Sequence, residues 1–162
     1  MSGIDTVWIG DQPLIRLSFD ASEAAILAEI ADQFVSLVTD TPDDPAAAGL
    51  FPKGYDDPAA QAEFSRFTHE DLSARKVTAA TLVRDTLRTE AEPDVVLVEL
   101  EPDAAWDWLT FFTDIRLVLA ERMSGAPDAE EHGLQQGLYD WTAYIQGAMV
   151  DELAGLPTDN QL

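Results

Sequence analysis

Two polar clusters in apolar surroundings are the residues best placed to do chemistry. Thr113-Asp114-Ile115-Arg116-Leu117 sets a carboxylate and a guanidinium within a hydrophobic run, and Tyr139-Asp140-Trp141 repeats a polar pair beside aromatics. A carboxyl group in such a setting can be tuned as a proton donor or acceptor, and an arginine can hold an anion. On a helix, residues two apart point to different sides, so Asp114 and Arg116 cannot pair with each other. Each needs a partner elsewhere: Tyr139-Asp140 can serve Arg116, and Arg75, Lys76 or Arg84 can serve Asp114. Charges that fix how helices dock outweigh catalysis as the reading of all four residues, Asp114, Arg116, Tyr139 and Asp140.

The remaining candidates are weaker. His69-Glu70-Asp71 lacks the second histidine of a zinc protease helix, since position 73 is serine. His132 lies in an acidic run, and two histidines in all are too few for a transition-metal site. Asp40, Asp43, Asp44, Asp56 and Asp57 have the oxygen chemistry of a calcium site without its spacing. The nucleophile elbow, the phosphate-binding loop and the dinucleotide turn are all missing, and with 31 acidic residues a carboxylate pair signifies nothing. No catalytic residue, metal or cofactor is therefore assigned. Tyr55 and Tyr144 are candidate contact residues.

Composition narrows the partners. The 162 residues hold 31 acidic and 9 basic side chains, a formal net charge of -22, and no cysteine. Nucleic acid and anionic membrane would meet a repelling field, whereas a protein with a basic surface would be attracted. The absence of cysteine rules out disulfides and thiolate metal sites and fits a reducing compartment. The opening MSGIDTVWIG has neither a basic leader nor an apolar core, and no apolar run is long enough to span a bilayer. A cytoplasmic location is the expectation. At 46% hydrophobic residues, the chain has the material for a packed core.

The elements that must position these residues follow from periodicity. Val7-Trp8-Ile9 and Leu14 to Leu17, around Gly10-Asp11-Gln12-Pro13, read as a hairpin. Asp20 with Glu23 is a capping box for a helix over 21–39. Residues 40–57 read as a loop pinned by Leu50-Phe51-Pro52 and Tyr55. A short helix from Pro58 to Phe67 is followed by a second from Thr68, with Asp71 as its capping partner, to Thr89. Val95 to Leu100 alternates like a strand and should join the hairpin. The stretch 102–123 is apolar on nearly every side, Trp106 included, apart from a narrow stripe of Asp103, Asp107, Thr110, Asp114 and Glu121, and reads as the central helix. A loop over 124–133 and a last helix over 134–153 follow, with a frayed tail at 157–162. The expectation is one α+β domain over 1–162, mainly helical, with four to five helices around the helix at 102–123 and a small antiparallel sheet of three strands.

This order resembles a known family. Leu50-Phe51-Pro52 with Tyr55-Asp56-Asp57, Glu63-Phe64 before Thr68 and Leu72, Trp106 with Leu109, Asp114-x-Arg116-Leu117, Arg122 and Tyr139-Asp140-Trp141 are similar to an actinobacterial family of unknown function. Thr113 stands where that family commonly has asparagine, and Thr142 where it usually has an apolar residue. The resemblance implies a gene neighbourhood beside the substrate adaptor of the Clp protease. It implies no activity, cofactor or catalytic residue.

Three readings of function follow. The first is a non-enzymatic interaction or regulatory protein, with a link to regulated proteolysis. An enzyme of unrecognised type would instead need Asp114, Arg116, Tyr139 and Asp140 around an internal cleft, and an acidic mimic of nucleic acid would need its acids in a contiguous row.

Overall fold

Alternation places the sheet. In the computed structural model, which describes residues 2–41, 43–51, 58–89 and 94–157 and gives the backbone alone at 58–69 and 89, strands β1 (Gly3–Ile9), β2 (Gln12–Asp20) and β3 (Val95–Leu100) form an antiparallel sheet in the order β1-β2-β3. Ile15, Leu17 and Phe19 of β2 stand opposite Leu100, Val98 and Val96 of β3, and all six are buried on one face. The other face carries the row Asp5, Arg16 and Glu99, with Arg16 ion-paired to Glu99 at 3.5 Å.

The hairpin turn is shorter than the turn-forming residues suggest. Ile9 pairs with Gln12, so only Gly10 and Asp11 turn, and Gln12-Pro13 belong to β2. Gly10 has φ of 63°, matching a two-residue turn with glycine first. Pro13 is tolerated because it faces Trp8 at a pair whose amide would point away from β1, where β3 does not reach beyond the Ile15–Leu100 pair.

Helix α1 (Ala21–Asp40) starts at the anticipated capping box: the Asp20 carboxylate accepts from the Glu23 amide, and the Glu23 carboxylate accepts from the Asp20 amide. The Glu23 amide foremost, with the Ser22 hydroxyl, holds the Asp20 carboxyl down at about 2. The segment read as loop contains a one-turn helix, α2 (Pro45–Ala48), because Asp44 caps it through the Ala46 amide and Pro45 is preset for a first helical position. Leu50 is buried and Phe51 packs on the core, whereas Pro52 and Tyr55 lie outside the described residues.

Two expected helices prove to be one. Helix α3 (Pro58–Thr89) runs unbroken through Thr68 and Asp71. No Gly or Pro follows Pro58 before its end, and a break would strand backbone groups that continuous winding satisfies, so a local capping pattern does not stop it. Likewise α5 (Ala129–Ala154) begins five residues before the expected start, since Asp128 accepts from the Glu131 amide and caps it. Glu130 and Glu131 thereby occupy the first turn, where negative charge is favourable.

Helix α4 (Pro102–Ser124) sends Trp108, Phe111, Phe112 and Ile115 into the core shared by the sheet, α1, α3 and α5. The architecture is thus α+β and mainly helical, as periodicity indicates. The stripe on α4 needs correction. Asp114 is buried, because α3 crosses the helix there, while Trp106 and Leu117 on the flank of the stripe are exposed.

Candidate functional site

The four polar residues singled out in the sequence do not converge. Asp114 faces α3, where its Oδ1 lies 2.8 Å from Lys76 Nζ. Burial raises the Asp114 carboxyl above its usual range, against the opposing pull of the Lys76 ammonium, and Oδ2 is buried with no hydrogen-bond partner. The nearly opposite side of α4 sends Arg116 to α5. There one guanidinium nitrogen donates to Gln146 Oε1 at 2.7 Å and another to the Tyr139 hydroxyl at 2.9 Å, with the cation 4.7 Å from the Tyr139 ring centre. Gln146 in turn donates to the Thr113 hydroxyl, which donates to the Leu109 carbonyl. Asp140 belongs to neither group: it is exposed and accepts from Gln136 at 2.9 Å along its own helix.

These are interhelical fasteners. Lys76–Asp114 ties α3 to α4, and Arg116 with Tyr139 and Gln146 ties α4 to α5. The internal cleft that an enzyme built on all four would need is not formed by them. Of the two contact candidates, Tyr144 is exposed and Tyr55 lies outside the described residues.

A roomier cleft that the sequence reading missed lies elsewhere. A depression of about 950 Å³ opens between the β1–β2 turn, the first turns of α4 and the end of α5. Trp8 and Trp106, 51% and 56% exposed, line it together with Pro13, Leu153 and the carboxylates Asp11 and Asp103. Each local element explains one wall. Trp8 sits on edge strand β1 near the tight turn, so no neighbouring strand covers it from outside. Trp106 lies one turn past Pro102, the first residue of α4, and is left exposed there. At the α4 N-terminus Glu101 makes no side-chain cap, Pro102 has no amide proton, and Asp103 supplies negative charge in the first turn.

The only sequence signal was the pair of tryptophans itself, one beside a turn and one near a helix start. Helical periodicity alone assigned Trp106 to the core. In the structure that flank of α4 borders the open cleft, and the described residues leave the ring more than half exposed. Exposed tryptophans at a concave, solvent-open surface are typical of binding sites.

No described helix is long and apolar enough to cross a membrane, and the described residues include no cluster of three or more potential metal ligands. No curated protein and no solved structure matches the chain. A family model, described as a domain of unknown function (DUF2017), matches residues 5–153.

Proposed function

The chain belongs to the DUF2017 family, a membership that brings no activity with it, and we propose that it works as a single-domain, non-enzymatic interaction or regulatory protein of the cytoplasm. The observation that carries this reading is the cleft walled by Trp8 and Trp106, two large side chains left half in water in a chain that buries Trp108 completely. Exposed aromatics of this kind anchor protein interfaces, because burying them on a partner releases a large apolar area at little cost in side-chain freedom. Of the polar residues with catalytic chemistry, Asp114, Arg116 and Tyr139 are meanwhile engaged in helix docking. A place in regulated proteolysis rests on the family resemblance alone, through an actinobacterial gene neighbourhood beside the Clp substrate adaptor.

The test is affinity capture from native lysate with the wild-type chain and with a Trp8→Ala/Trp106→Ala variant, followed by kinetics on any partner recovered. A partner that the variant loses supports the reading. Partners retained in full by the variant would overturn it.

A further inference from the structure

The charge of the cleft narrows what it can hold. Its two carboxylates, Asp11 and Asp103, are exposed and have no ion-pair partner among the described residues, and none of the described lining residues is Lys, Arg or His. Other acids near a basic side chain are engaged: Asp44 with Arg122, Asp32 and Asp85 with Arg84, and Glu99 with Arg16. Glu152, on the last turns of α5, accepts from the Thr6 hydroxyl at 2.6 Å. Two tryptophan rings and two carboxylates without an ion-pair partner among the described residues line one open depression, a setting that suits a cation, because the ring face attracts positive charge and the carboxylates neutralise it.

We propose that the Trp8–Trp106 cleft seats an arginine or lysine side chain carried on a segment of a partner protein. This rests on the interaction reading above and gives the partner's chemistry. The volume, about 950 Å³, exceeds one side chain and accommodates the flanking backbone, with Pro13 and Leu153 as apolar contacts for it. Anionic segments are disfavoured by both carboxylates and by the net charge of -22. A purely apolar segment would leave Asp11 and Asp103 desolvated without a partner, which is costly.

The probe is a capped Gly-Arg-Gly-Arg-Gly peptide, titrated against the full chain at about 150 mM salt, where screening within about 8 Å suppresses diffuse attraction. Tryptophan fluorescence reports binding, since Trp8 and Trp106 are the more exposed of the four tryptophans. The expected result is saturable binding that the citrulline analogue of the peptide does not show. Trp106→Leu weakens it on the order of fivefold, and Trp106→Phe weakens it less, because indole is the better cation-binding ring. Asp103→Asn weakens it more than Asp140→Asn, which removes the same charge from an exposed site on α5. Thermal melts confirm that each variant is folded.

Equal affinity for wild type, Trp106→Leu and Asp103→Asn would overturn the proposal, leaving only diffuse attraction to an acidic surface. Spermidine binding as tightly as the peptide, with the same dependence on Trp106, would also overturn it in favour of a small cation. A lysate partner that needs Trp8 and Trp106 but is unaffected by Asp11→Asn/Asp103→Asn would refute the cationic occupant while leaving the interaction reading intact.

Discussion

Lys76 Nζ meets Asp114 Oδ1 at 2.8 Å across the α3–α4 interface, with the two side chains only 13% and 5% exposed. Such a pair does little for net stability as a whole but makes each partner dependent on the other, since either alone is a buried charge without compensation.

Lys76→Met is therefore expected to destabilise the fold by about 3 kcal/mol, and Lys76→Met/Asp114→Leu to recover most of that loss. Asp114→Asn should lower the denaturation midpoint well beyond Asp107→Asn, because Asp107 is exposed. Urea melts of these four variants and of Asp114→Leu, which closes the cycle, decide the matter. Additive losses in the double variant would show that the two side chains do not act as a pair.

The same pair has a signature in pH. The Asp114 carboxyl is raised in the folded chain, so over the range above its ordinary value of 3.8 the native state binds more protons than the unfolded state. Its contribution to stability therefore grows as pH falls through that window. Lys76→Met removes the cation that opposes the rise and should widen the window, so the deficit of this variant against wild type shrinks on acidification. A deficit independent of pH from about 7 to 4 would contradict the assignment.

Asp20 behaves in the opposite sense. Its carboxyl is held at about 2 by the Glu23 amide and Ser22 hydroxyl, so its stabilisation is present above 3.8 and is lost as pH falls toward 2. Asp20→Ala should lower the melting temperature at about pH 6, and the gap to wild type should close near about pH 2. An unchanged gap at both ends would mean that the capping box is not charge-dependent.

Arg116 tests the α4–α5 fastener. Arg116→Lys loses the fork that reaches Gln146 and Tyr139 together, and should cost about 1–3 kcal/mol. Tyr139→Phe keeps the ring beneath the cation and loses one hydrogen bond, about 1 kcal/mol. Calorimetric or denaturant melts that rank Tyr139→Phe as the more damaging would reverse the roles given to these residues.

Added sodium chloride should raise the melting temperature of the wild type. A net charge of -22 on a chain of 162 residues repels itself, and screening shortens the reach of that repulsion from about 30 Å at 0.01 M to about 10 Å at 0.1 M. A flat or falling salt dependence would show that the ion pairs dominate instead.

Whatever depends on neighbours within about one turn of helix or one strand pair is legible in the order of the residues. The Asp20–Glu23 box, the alternation of Val96, Val98 and Leu100, and the extent of α4 are of this kind. Even the local signals that misled did so where two of them competed: Thr68 with Asp71 offered a helix start inside α3, and the loop assigned to 124–133 hid the cap at Asp128. Which surface each helix buries depends instead on how the elements pack. Asp114 and Trp106 occupy neighbouring faces of α4, yet the aspartate is covered by α3 and the tryptophan is left open beside β1. Periodicity locates a face on its own helix, but coverage is set by residues tens of positions away, as Lys76 is from Asp114, through contacts that form only when the chain is packed.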